Sequence, residues 1–208
     1  MISYFVERFS PTIFVPAALG IAAAVRVARS GSDASWLVDT TLALLLIAQF
    51  RLWDDLADRE VDRLAHPERV LVRAERIGPY VTVCVGLAIV NLFASAWRGG
   101  WLGLVVLAAL DASFVAWYVG RSSQRTVIGA LWMVAKYSVF VIVLTGRSSI
   151  FSHLLPAVVA IYAVACAYEV LHDPPDGFGF RGFQRFRRFW FTPANPDTAK
   201  PRHTGGAC

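Results

Sequence analysis

Four aspartates, Asp54, Asp55, Asp58 and Asp62, crowd one short stretch that follows an apolar run, in Leu-Trp-Asp-Asp-Leu-Ala-Asp-Arg-Glu-Val-Asp-Arg-Leu-Ala-His-Pro-Glu-Arg. On a continuing helix Asp55, Asp58 and Asp62 stand at i, i+3 and i+7 and Asp54 faces Asp58 at i+4, so the four carboxylates share one stripe. Like charges this close repel, and a hard divalent cation such as Mg2+, which takes carboxylate oxygens while leaving positions open to phosphates, is one way to relieve them. The plainer alternative is a solvated loop in which Arg51, Arg59, Arg63 and Arg69 neutralise the acids. A second acidic group, Glu169-Val-Leu-His172-Asp173-Pro-Pro-Asp176-Gly, closes another apolar run. Pro174 and Pro175 should end the helix near Asp173 and leave Asp176 in a turn.

The elements that must position these groups are membrane helices. Of 208 residues 56% are hydrophobic and only 17% charged, and the mean hydropathy is +0.52. An ordinary soluble domain carries about a quarter charged residues, so a soluble globule is excluded, and so is disorder, given 13% aromatics with seven Trp. Spanning roughly 30 Å of hydrocarbon takes about twenty apolar residues. Six runs qualify: 9–25, 34–50, 77–97, 99–120, 126–146 and 148–168. The first is preceded by Met-Ile-Ser-Tyr-Phe-Val-Glu-Arg, without net positive charge, and is kept as a span rather than a cleavable signal. The expected fold is all-α, a polytopic bundle of about six spans over residues 1–176. Residues 177–208 would be a basic, aromatic interfacial segment and a disordered tail.

Six spans put both termini on one side. That side collects fifteen Lys and Arg and the other side four, Arg26, Arg29, Arg98 and Arg147. The excess places both termini and the 59–76 loop in the cytoplasm. The expected location is a bacterial cytoplasmic membrane. Three cysteines, Cys84, Cys166 and Cys208, show no disulfide or metal spacing.

The segment Asp54-Asp55-x-x-Asp58-x-x-x-Asp62-Arg63, followed by Pro67 and Arg69, resembles the first signature of the UbiA superfamily of intramembrane prenyltransferases, N-D-x-x-D-x-x-x-D-R-x-x-x-R-P-x-R-P. Asp54 stands at the Asn, His66 at the later Arg and Val70 at the last Pro. The second acidic group resembles the second signature, K-D-x-x-D-x-x-G-D, with His172 at the Lys, Gly179 at the Gly and Phe180 at the last Asp. The likeness covers roughly residues 10–180 and lacks the last three of the family's nine spans.

What the resemblance implies is an Mg2+-dependent enzyme. It would ionise a polyprenyl diphosphate and transfer the chain to a hydrophobic, aromatic acceptor, or cyclise the chain in a terpene-cyclase variant. Asp54, Asp55, Asp58, Asp62, Asp173 and Asp176 would hold metal. Arg63, Arg69, Lys136 and His172 would serve catalysis at the diphosphate, and Arg121, Tyr137 and Tyr168 would contact substrate. A shortened, non-catalytic relative that binds a prenyl lipid or a partner is the alternative outside enzymes. Partners are the bilayer and a second copy or another membrane protein, with no nucleic acid.

Two charges fall inside apolar runs, Asp111 and Lys136. Intramembrane charges pair or serve function, so the two are expected either to pair with each other or to put Lys136, with Tyr137, into the cavity. His153 reads as an interface residue, and Arg121 near Trp117 and Tyr118 as an anchor. In the tail Arg181, Arg185 and Arg188 oppose Phe183, Phe186 and Trp190 on a helix that would lie on anionic headgroups.

Overall fold

The structure is a computed structural model that describes residues 2–29, 36–120, 127–146 and 151–172. Every element among them is helical: α1 (Ile2–Arg8), α2 (Pro11–Ala28), α3 (Trp36–Ala57), α4 (Arg59–Ala65), α5 (Val70–Arg73), α6 (Gly78–Gly120), α7 (Val127–Thr145) and α8 (Phe151–His172). Four of these helices, α2, α3, α6 and α8, are long and apolar enough to cross a membrane, and α7 contributes a shorter apolar stretch, Gly129–Thr145. The all-helical expectation therefore holds, and these helices are consistent with an integral membrane protein. The tail, including 177–208, lies outside the described residues.

Within α6 residues 78–120 form two helical arms that meet at Gly100, whose φ of 66 and ψ of −165 are not helical. That backbone region is essentially restricted to glycine. Asn91 from the first arm and Asp111 from the second both bond to the side chain of Gln49, so the chain folds back on itself at Gly100. Close approach reinforces the turn: a Cβ on Gly103 would stand 2.6 Å from the Val143 carbonyl oxygen.

Pro11 opens α2 at its first turn, where a missing N–H costs nothing. Helices α2, α3, α6 and α7 share one core centred on Ile21, Val25, Leu46, Ile47, Phe50, Leu107, Phe114, Phe140 and Leu144. A smaller cluster of Tyr4, Leu52, Leu71, Tyr80 and Cys84 seats α1 and α5 against the far end of α3. At the Gly100 end Arg29, 6% exposed, donates to the carbonyls of Leu144 at 2.5 Å and Arg98 at 3.1 Å. Beside it Arg98 clasps Asp39 through two bonds of 2.7 and 3.0 Å. These pairs hold one end of the bundle together and leave the aspartate segment at the other.

Candidate functional site

The aspartate segment begins inside α3 and runs out of it. The helix ends at Ala57, Asp58 takes the N-cap position of α4 with φ −91 and ψ 0, and α4 resumes at Arg59. The ladder continues through the bend, from the Asp58 N–H to the Asp54 carbonyl at 2.9 Å and from the Asp62 N–H to the Asp58 carbonyl at 2.8 Å. The predicted helical register thus survives, but the carboxylates do not converge.

Asp54 turns into the bundle. One of its oxygens accepts from the Lys136 ammonium of α7 and the other from the Tyr118 hydroxyl at the end of α6. Lys136 is 4% exposed, and its Nζ stands 5.5 Å over the Phe114 ring and 5.6 Å over the Tyr137 ring. Such placement over aromatic faces is attractive for a cation. Phe50 connects the cluster, with its ring 5.1 Å from Phe114 and 5.3 Å from Phe140. Of the two alternatives for the intramembrane charges, mutual pairing does not occur: Lys136 takes Asp54, and Asp111 accepts from Gln49 Nε2 at 2.9 Å.

Asp55 points the other way, to α1. Arg8 grips it with bonds of 2.7 and 2.9 Å, the Tyr4 hydroxyl donates at 2.8 Å, and Arg51 stands 3.5 Å away. The bond to Asp55 raises the Arg8 guanidinium above its ordinary range against the opposing effect of burial. Burial, then the Asp55 charge, pushes the Tyr4 phenol up, so it stays a donor at neutral pH. Asp62 pairs with Arg69. A shallow recess where α1, α3, α4 and α5 meet is lined by Tyr4, Arg8, Asp55, Asp62 and Arg69 among others.

Of the remaining expected residues, Arg63 pairs with Glu60 at 3.0 Å on the surface. Tyr137 adjoins Lys136, and Tyr168 lies 40% exposed on α8. His172 is the last residue of α8; nothing is described of its side chain. Arg121, Asp173 and Asp176 lie outside the described residues. Sequence reasoning missed Tyr4 and Arg8, which stand at i, i+4 and so share a face of α1. It also missed Gln49 and Asn91, single amides within apolar runs.

The fit to a magnesium ion follows from these partners. Among the described residues no three His, Cys, Asp or Glu side chains group as metal ligands. Asp54, Asp55 and Asp62 each face a different cation of the chain. The described carboxylates, so arranged, do not fit a shared Mg2+. What the geometry provides is a buried ammonium and a phenol on one carboxylate, walled by aromatic rings. No protein-family model, curated protein or solved structure matches the chain.

Proposed function

We propose that the protein is a UbiA-like membrane prenyltransferase, binding a polyprenyl diphosphate at the Asp54 end of its bundle and passing the prenyl chain to a hydrophobic, aromatic acceptor. The two arms of α6 and the shorter apolar α7, beside α2, α3 and α8, support the reading by offering as many apolar helices as such a bundle would need. The observation that carries the reading is the convergence of Asp54, Tyr118 and Lys136, from three separate helices, beside Phe50, Phe114, Tyr137 and Phe140. A diphosphate needs cationic and hydroxyl donors, and Lys136 and Tyr118 supply both once they exchange Asp54 for phosphate oxygens. Aromatic faces that already hold an ammonium suit the positive charge that develops on an allylic carbon as its bond to oxygen lengthens. Enclosure away from water guards that carbon from hydrolysis. Arg63 and Arg69 sit on the stretch that leaves the membrane, where a diphosphate head would emerge.

A second reading is favoured by one specific observation, the ion pairing of Asp54, Asp55 and Asp62 within the chain itself. A relative that has given up metal and chemistry would bind prenyl lipid without turnover. One experiment separates the two. Purified protein in nanodiscs is offered prenyl diphosphates of ten to forty or more carbons with an aromatic acceptor, with Mg2+ or EDTA, and diphosphate release and donor binding are both followed. Release that is lost in Lys136→Ala and in Asp58→Ala supports transfer; binding without release under every condition selects the non-catalytic reading. Failure of every donor to bind refutes both.

A further inference from the structure

We infer that Asp111, backed by Gln49 and Asn91, is an intramembrane binding site for a hydroxyl or phenol head carried on a lipid, and, resting on the reading above, that this ligand is the acceptor. The three side chains form a directed chain. Asn91, 1% exposed, donates from Nδ2 to Gln49 Oε1 at 2.8 Å and to the Leu45 carbonyl at 3.1 Å. Gln49, fully buried, donates in turn from Nε2 to Asp111 Oδ1 at 2.9 Å. Asn91 thus fixes the orientation of Gln49, and Gln49 alone donates to the carboxyl, which sits in the second arm of α6 and is only partly buried.

The chain ends without a closing partner. Among the described residues Asp111 has no ion pair and a single hydrogen-bond donor, Gln49. The Asn91 Oδ1 atom, also buried, has no partner. A purely structural ladder in hydrocarbon closes on itself, because an idle acceptor there costs free energy. A metal cation is a poor occupant, since Gln49 has turned its oxygen to Asn91 and offers Asp111 an N–H. What the open carboxyl oxygen lacks is a donor, and a donor arriving through the bilayer must be carried on an apolar molecule. The site also lies apart from the diphosphate end. Gln49 is five residues from Asp54 and Asp111 seven from Tyr118, about 7.5–10.5 Å at the helical rise, with Phe50 and Phe114 between.

The test uses the whole protein in nanodiscs, a prenylated phenol and its methyl ether, in which a methyl group replaces the donated proton. The phenol is expected to bind about tenfold more tightly, the upper end of what one hydrogen bond contributes. Asp111→Leu should remove the difference and Gln49→Leu should shrink it. Binding of a non-hydrolysable prenyl diphosphate should be unchanged in Asp111→Leu and lost in Lys136→Ala. Equal affinity of the wild-type protein for phenol and ether overturns the inference, with no variant required, and leaves the diphosphate reading standing. Phenol selectivity without any diphosphate binding supports the site and removes the transfer reading instead.

Discussion

Replacing Lys136 by methionine tests the central geometry, because the substitution keeps most of the side-chain volume and removes only the charge. In the native bundle the Lys136 and Asp54 side chains are 4% and 13% exposed, and Asp54 has Lys136 on one oxygen and Tyr118 on the other. Removing one member of a buried ion pair leaves the other charge desolvated, at a cost of about 3–5 kcal/mol. Tyr118 remains as a neutral donor and places the expected loss near the lower figure. For a chain of this size each kcal/mol moves the midpoint by about 2–4 °C, so unfolding in detergent should shift down by about 6–12 °C. The discriminating measurement is the double variant Lys136→Met with Asp54→Asn, in which neither charge is present. It should recover at least half of the loss, since replacing both members of a buried pair is far milder than breaking it. A single variant as stable as the wild type, or a double variant as unstable as the two singles added together, would refute the pairing and the site built on it.

Two further predictions concern one element at each end of the bundle. Arg8→Met removes the two-bond clasp on Asp55 and leaves Tyr4 and the more distant Arg51; hydrogen exchange should show α1 losing protection while the first arm of α6 is unchanged. Gly100→Ala places a Cβ on a backbone at φ 66, ψ −165 and should cost about 1–3 kcal/mol in thermal unfolding. Gly86→Ala in the same helix, where a Cβ meets nothing within 4 Å, should be neutral or slightly stabilising.

The sequence made the helices legible and the pairing of charges only in part. Apolar length alone located α2, α3, α7 and α8 to within a few residues, except at the exit of α3, which continues seven residues beyond the apolar run to Ala57. That extension escaped hydropathy because Arg51, Asp54 and Asp55 are polar, yet their charges are satisfied within the fold. The α6 reversal was marked by Arg98, the charge that separates the runs 77–97 and 99–120. The partner of Lys136 was not legible. A helix that is apolar all round gives no periodic signal for its rotation, and whether Lys136 meets Asp54 or Asp111 depends on that rotation. Gln49 and Asn91 left a weaker trace, as lone amides in apolar segments, and such residues inside a membrane span are costly enough to ask for partners.

The aspartate segment's charge balance bears on what could bind there. Crowded carboxylates ask for cations, but the chain brings its own: Lys136 to Asp54, Arg8 to Asp55, and Arg69 to Asp62. A divalent ion entering this segment has therefore to displace an ammonium and a two-bond guanidinium, and it leaves those cations without their partners. An incoming diphosphate resolves that difficulty, because its oxygens can take over Lys136 and Tyr118 as Asp54 is released. By this reasoning the ion pairs of the free protein hold the segment without metal, and they are the partners from which a diphosphate would have to be exchanged.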